Sequence, residues 1–121
     1  MKLPANDGVR LRHMIEAAES ALSFIAGRNR ADLDHDPMLL FALLRAVEVV
    51  GEAASKVSAK GRAAMPALPW KQMVAMRNRL VHAYFDIDTE IVWKTVTEEL
   101  PLLLAAMRKI AADQETEFGD H

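Results

Sequence analysis

The sequence predicts an all-α fold, an antiparallel bundle of four main helices, and three observations predict it. Apolar residues recur at three- and four-residue spacing in four separate stretches, Gly and Pro punctuate the gaps between them, and no stretch alternates apolar with polar residues as a half-buried strand does. The chain has 121 residues, enough for one domain with a single core. Hydrophobic residues make up 51% and charged residues 26%, the balance of a globular rather than a disordered chain. That apolar fraction is high for so small a body, so part of the surface is expected to lie against a second copy as a homodimer.

The first helix is expected to be capped by Asn6 or Asp7, with Leu11, Ile15, Ala18, Leu22 and Ile25 on its inner face and Gly27 as terminator. Asp36-Pro37 starts the second, since a capping carboxylate stands directly before a proline suited to the first helical position. From Met38 to about Ser58 that helix is apolar or small at nearly every position except Arg45, Glu48, Glu52 and Lys56. It should be the centre of the bundle, and its polar stripe is either a solvated face or the wall of a cleft. Residues 58–68 form a turn-rich connector with room for one short helical turn over 59–64. Pro69 opens the third helix, on which Trp70, Met73, Val74, Arg77, Leu80, Val81 and Tyr84 share a face. Asp88 caps the fourth, with Ile87 stapled onto Val92, and Pro101 should kink or split it. A single helical domain is thus expected over 1–112, followed by a flexible tail over 113–121.

The net charge of −2 leaves any affinity for nucleic acid to a local patch. The absence of cysteine excludes disulfides and thiolate metal sites and fits a reducing cytoplasm. The N-terminal stretch does not read as a signal peptide, and Arg45, Glu48 and Glu52 interrupt the longest apolar run, so no membrane span is expected. Asp32, Asp34, His35 and Asp36 form an acidic cluster, but spacing alone does not make it a metal site, and Asp36 is already explained as a cap. Arg28 and Arg30 are read as surface charge, with a basic rim as the alternative. The seven methionines are read as adaptable core filling.

Chemistry concentrates in Arg77-Asn78-Arg79-Leu80-Val81-His82-Ala83-Tyr84. On a straight helix Arg77 and Tyr84 project together and Asn78 aligns with His82, whereas Arg77 and His82 stand about 140° apart. For those two to cooperate, either the helix distorts near His82 or a second copy of the chain completes the cleft. An imidazole that exchanges protons near neutrality and a permanently charged guanidinium suit metal-free RNA cleavage. His82 would act as base on the 2′-hydroxyl or acid towards the leaving oxygen, and Arg77 would stabilise the phosphorane-like transition state. Asn78 would orient His82 or cap the backbone, and Arg79 would contact an RNA phosphate or stand as a solvated charge. The structural alternative pairs Arg77 with Glu48 or Glu52, leaves His82 at the helix end and makes Tyr84 a core aromatic.

Arg77, four intervening residues, His82, Ala83 and Tyr84 reproduce the RX4HXY signature, and the chain resembles the HepT-like toxins of the HEPN superfamily. The segments 46–54, 68–70, 76–86, 91–93 and 100–101 extend the likeness over about Arg10 to Ile110. The resemblance implies a dimeric helical bundle that cuts RNA without a metal or other cofactor, as the toxin of a toxin-antitoxin pair. It also implies an MntA-like nucleotidyltransferase antitoxin that transfers AMP from ATP to Tyr84. That modification would place bulk and negative charge beside Arg77 and His82. The competing class is a non-catalytic helical partner subunit that binds nucleotide or protein.

Overall fold

The computed structural model describes residues 3–83 and 86–119, without the side chains of Arg77, Val81, His82, Ala83, Asp86 and residues 115–119. Helices α1 (Ala5–Phe24), α2 (Asp32–His35), α3 (Pro37–Ser55), α4 (Ala59–Ala64) and α5 (Trp70–Leu80) lead to two short strands, β1 (Val81–Ala83) and β2 (Asp86–Ile87). Helix α6 (Thr89–Lys94), a π-helical turn (Thr95–Glu99) and α7 (Leu100–Gly119) complete the order, so the class is all-α with one small pair of strands. Helix α3 packs against both α1 and α5, and α1 also meets α7.

The apolar spacing of α1 buries Leu11, Met14, Ala18 and Ala21, and Gly27 leaves the helix with φ of 73°, a left-handed conformation that favours glycine. The expected side-chain cap is corrected. Pro4 occupies the N-cap position, and Asp7 lies inside the first turn, only 3% exposed. Its carboxylate accepts hydrogen bonds from the Ser58 amide at 3.0 Å and the Ser58 hydroxyl at 2.5 Å. A buried carboxylate needs such donors, and this one finds them 51 residues away rather than in its own helix. Ser58 in turn caps α4, its hydroxyl accepting from the Gly61 amide at 3.0 Å. Gly61 packs so closely on the pair that a Cβ would run into the Asp7 carboxylate.

Helix α3 begins as its sequence dictates, with Pro37 in the first turn and the Asp36 carboxylate accepting from the Leu39 amide at 3.1 Å. Arg28 donates to Asp36 at 2.6 Å; this bond first, and the Leu39 amide second, holds the carboxyl below the usual carboxylate range. Leu43, Val47, Val50 and Ala54 are fully buried, so α3 is the spine of the core. Of its polar stripe, Arg45 pairs with Glu48 at 3.2 Å, while Arg45, Glu52 and Lys56 line a shallow groove of about 120 Å3 shared with Arg10 and His13 of α1. Met14, Met65, Met73, Met76 and Met107 fill the core, but Met38 is 83% exposed and departs from the core assignment.

The connector before α5 is fixed by Arg62. Its guanidinium donates to the Ala54 carbonyl at 3.1 Å, satisfying the C-terminal end of α3, and lies 5.7 Å from the Trp70 ring centroid. Trp70 donates from Nε1 to the Met65 carbonyl at 3.0 Å, which locks the start of α5. At the other end of the chain, Asp88 caps α6 by accepting from the Glu90 and Ile91 amides, and Val92 is buried behind a half-buried Ile87.

The break expected at Pro101 takes a specific form: the chain remains helical but widens into the π turn just before the proline. The Leu100 amide bonds to the Thr95 carbonyl five residues back, an arrangement that relieves the crowding of a proline ring against the preceding turn. Helix α7 then runs to Gly119, past the boundary at Asp113 suggested by composition, and the Leu3 amide donates to Gln114 Oε1 at 3.3 Å. No helix among the described residues is long and apolar enough to cross a membrane.

Candidate active site

The motif is delivered by α5, whose inner face of Met73, Met76 and Leu80 is buried against the core. That face explains why the sequence is helical up to Leu80. Beyond it the chain turns extended, and the straight-helix pairing of Arg77 with Tyr84 and Asn78 with His82 is thereby corrected. Val81 and Ile87 are β-branched residues that favour extended backbone, and they pair with each other across an antiparallel ladder. A two-strand element this short has no apolar alternation for sequence reading to find.

Within that ladder Ala83 pairs with Asp86, so the register slips between the two pairs and leaves His82 without an opposite number among the described pairs. Such bulges redirect the chain locally and are frequent beside active sites. The distortion near His82 considered from sequence is therefore present in the backbone: Arg77 stands in the last turn of α5 and His82 at an irregular position of the following strand. The side chains of Arg77 and His82, and the whole of Tyr84, lie outside the described residues.

Asn78 and Arg79 are exposed on α5 and line a groove of about 540 Å3 between that helix and the α6–π segment. Arg79 Nη2 donates to both oxygens of Glu99, at 3.0 and 3.1 Å, which leaves its other N–H groups available. The groove continues over Ala75 and Ile91 to Lys94 and Thr95. Sequence reading passed over Thr95, although it stands between the inward-facing Val92 and Val96; the signal was a hydroxyl on an otherwise apolar face.

The acidic cluster is built into ion pairs. Arg28 lies 3.5 Å from Asp32 and 2.6 Å from Asp36, and Arg30 lies 2.9 Å from both Asp34 and Glu90. Arg30 also donates to Thr89 Oγ1 at 3.2 Å, so Arg30 ties α2 to the start of α6 and Arg28 ties α2 to the N-cap of α3, rather than the two forming a free basic rim. Among the described residues, no three His, Cys, Asp or Glu side chains converge as a metal site.

Residues 14–110 match the model of the family described as ribonuclease HepT-like. The chain belongs to the HepT-like family. Among its relatives, a "Probable ribonuclease HepT" of Thermococcus cleftensis is 35% identical over 100 residues, 83% of this chain and 91% of that protein. A protein provisionally named an RNase in Caldanaerobacter subterraneus is 31% identical over 83% of this chain and 89% of its own length. Another such protein, from Methanocaldococcus jannaschii, is 35% identical over 75% of this chain and 84% of its own. No solved structure matches the chain at comparable stringency. The family match spans α3, α5 and the whole 77–84 motif, so the elements that position the motif belong to the shared fold.

Proposed function

We propose that this HepT-like chain is a metal-independent endoribonuclease and the toxin of a toxin-antitoxin pair. The observation that carries the reading is the placement of the Arg77–His82 pair across the helix-to-strand break, in a family whose named relatives are assigned as ribonucleases. In the reaction, the ribose 2′-hydroxyl attacks the adjacent phosphorus and the 5′-oxygen leaves. His82 removes the proton from the former or supplies one to the latter, and Arg77 holds the charge that builds on the phosphoryl oxygens. Asn78 orients the imidazole, and Arg79 offers its free N–H groups to a neighbouring phosphate.

The active form is a homodimer. Met38 and Phe41, three residues apart on α3, are 83% and 61% exposed, an apolar pair that a second copy would cover. Regulation runs through Tyr84: a nucleotidyltransferase antitoxin transfers AMP to its hydroxyl, and the added phosphate competes with RNA for Arg77. Cleavage of a defined RNA in excess chelator tests the catalytic part. Wild type should cut, and Arg77→Ala and His82→Ala should each lose roughly 10²-fold or more in rate; equal cleavage by all three proteins rejects the assignment. For the modification, intact mass should rise by AMP units after incubation with the antitoxin and ATP, and Tyr84→Phe should abolish the gain.

A further inference from the structure

The polar stripe of α3 forms one wall of a groove whose other wall is α1. Arg10 and His13 of α1 line it together with Arg45, Glu52 and Lys56 of α3. Glu52 is the one carboxylate among the described residues of that lining. Arg45 pairs with Glu48 yet stays 65% exposed, and the side chains of Arg10, His13 and Lys56 form no hydrogen bond or ion pair among the described residues. Arg10 is half-buried, with its Nε enclosed and unpartnered. A guanidinium in that setting lacks a counter-charge, and an anion brought to it is stabilising. Other arginines have carboxylates of their own: Arg28 and Arg30 in the acidic cluster, Arg79 with Glu99, and Arg108 with Glu19. A chain of net charge −2 can attract RNA only through a local patch, and this groove gathers unpaired cations where those sites do not.

Backbone geometry sets the shape of the groove. The bond from Ser58 to Asp7 fixes the start of α1 beside the end of α3, so α1 runs back along α3 and brings Arg10 towards Lys56. Arg45 and Lys56 are eleven residues apart, roughly 16 Å along the helix axis. A groove of that length and only about 120 Å3 is narrow, whereas pockets for compact ligands usually measure roughly 300–1,000 Å3. It suits a chain of phosphates lying across it better than an enclosed nucleoside. The motif is carried on the same helix. Arg62 joins the Ala54 carbonyl to the Trp70 ring, so α5 also starts beside the end of α3 and packs back along it. The seven steps from Trp70 to Arg77 cover roughly 10 Å, which brings the motif level with the span between Arg45 and Lys56. Resting on the ribonuclease reading above, we infer that the α1/α3 groove is a separate contact site for the RNA backbone, taking phosphodiesters of the strand that reaches the motif. Phosphate contacts position a strand and carry no sequence information, so Arg10, Arg45 and Lys56 set affinity and register rather than base choice.

The salt dependence of binding tests the groove apart from catalysis. Two uncleavable 2′-O-methyl strands of unrelated sequence, each with and without a 5′-phosphate, are titrated at several salt concentrations into wild type, Lys56→Gln, Arg10→Gln and the double variant. Lys109→Gln, at an exposed lysine outside the groove, is the control. For a single strand each phosphate contact contributes about 0.7 to the slope of log K against log salt. Each groove variant should weaken all strands alike and flatten that slope by about 0.7, the double variant by about 1.4, and Lys109→Gln should match wild type. Lys56 is exposed, so its variant carries the test if Arg10→Gln does not fold. Unchanged slopes in the groove variants, or an equal loss in Lys109→Gln, overturn the site. A loss confined to the 5′-phosphorylated strands also overturns it, because the groove would then take a terminal phosphate and not the backbone. So does a loss of dimer or antitoxin binding at unchanged RNA affinity, which would make it a protein-docking face. Cleavage of unmodified RNA is scored separately. Cutting with unaltered slopes leaves the nuclease standing and removes the groove, whereas altered slopes without any cutting do the reverse.

Discussion

Replacing Asp7 by alanine removes both hydrogen bonds that join the first turn of α1 to the start of α4. Hydrogen bonds to a charged partner are worth about 1.5–3 kcal/mol each, but Ser58 would keep its bond to the Gly61 amide and regain water on part of its surface. We therefore expect a net loss of about 2–4 kcal/mol, a large part of the ~5–15 kcal/mol that holds a typical domain folded. Asp7→Asn should lose less, because the amide oxygen still accepts from the Ser58 N–H and the hydroxyl can rotate to accept from the amide. Urea unfolding followed by circular dichroism gives the loss directly, and Ser58→Ala with the double variant separates the pair's coupling from the general cost of the change. A coupling of about 1 kcal/mol or more is expected. The reasoning is refuted if Asp7→Ala lies within about 0.5 kcal/mol of wild type, as for an ordinary surface substitution.

Gly61→Ala should destabilise by about 1–3 kcal/mol through its collision with the Asp7 carboxylate, and adding it to Asp7→Ala should cost far less than the sum; thermal melts of the four proteins check this. Asp36 titrates below the usual carboxylate range because Arg28 and the Leu39 amide favour its charged form. Its contribution is present above the ordinary carboxylate pKa and lost as pH falls through the lowered value. A melting series should thus show wild type above Asp36→Asn near neutrality and the two converging in acid. Phe41→Glu should convert the proposed dimer to monomer in sedimentation while leaving the helical signal intact, since Phe41 is 61% exposed and is not among the buried core residues.

How far these features could be read in advance depends on whether they were local. Asp36-Pro37, Gly27, the short turn over 59–64 and the Asp88 cap are decided by a few adjacent residues, and the structure has each where the pattern put it. Asp7 looked like a cap because capping is the local use of an aspartate near a helix start; its actual donor comes from a residue 51 positions away, which no local pattern contains. Helical spacing carried the motif on to Tyr84, yet β1 owes its conformation to pairing with Asp86 and Ile87, a tertiary contact. The proline at 101 announced a disturbance but not that the turn before it would widen, because the relief depends on how the whole helix lies against the core. For the candidate site, the motif residues were visible as types in a spacing. The groove beside them was not, since Ala75, Asn78, Thr95 and Glu99 meet only when α5 and the π turn pack together.

The central claim is that His82 works on the 2′-hydroxyl chemistry of RNA. Its most direct test compares one RNA strand with its fully 2′-O-methylated counterpart, incubated with wild type and His82→Ala in excess chelator. The account predicts that wild type cuts only the unmodified strand and that His82→Ala cuts neither at a comparable rate. Cleavage of the methylated strand, or undiminished cleavage by His82→Ala, would contradict it.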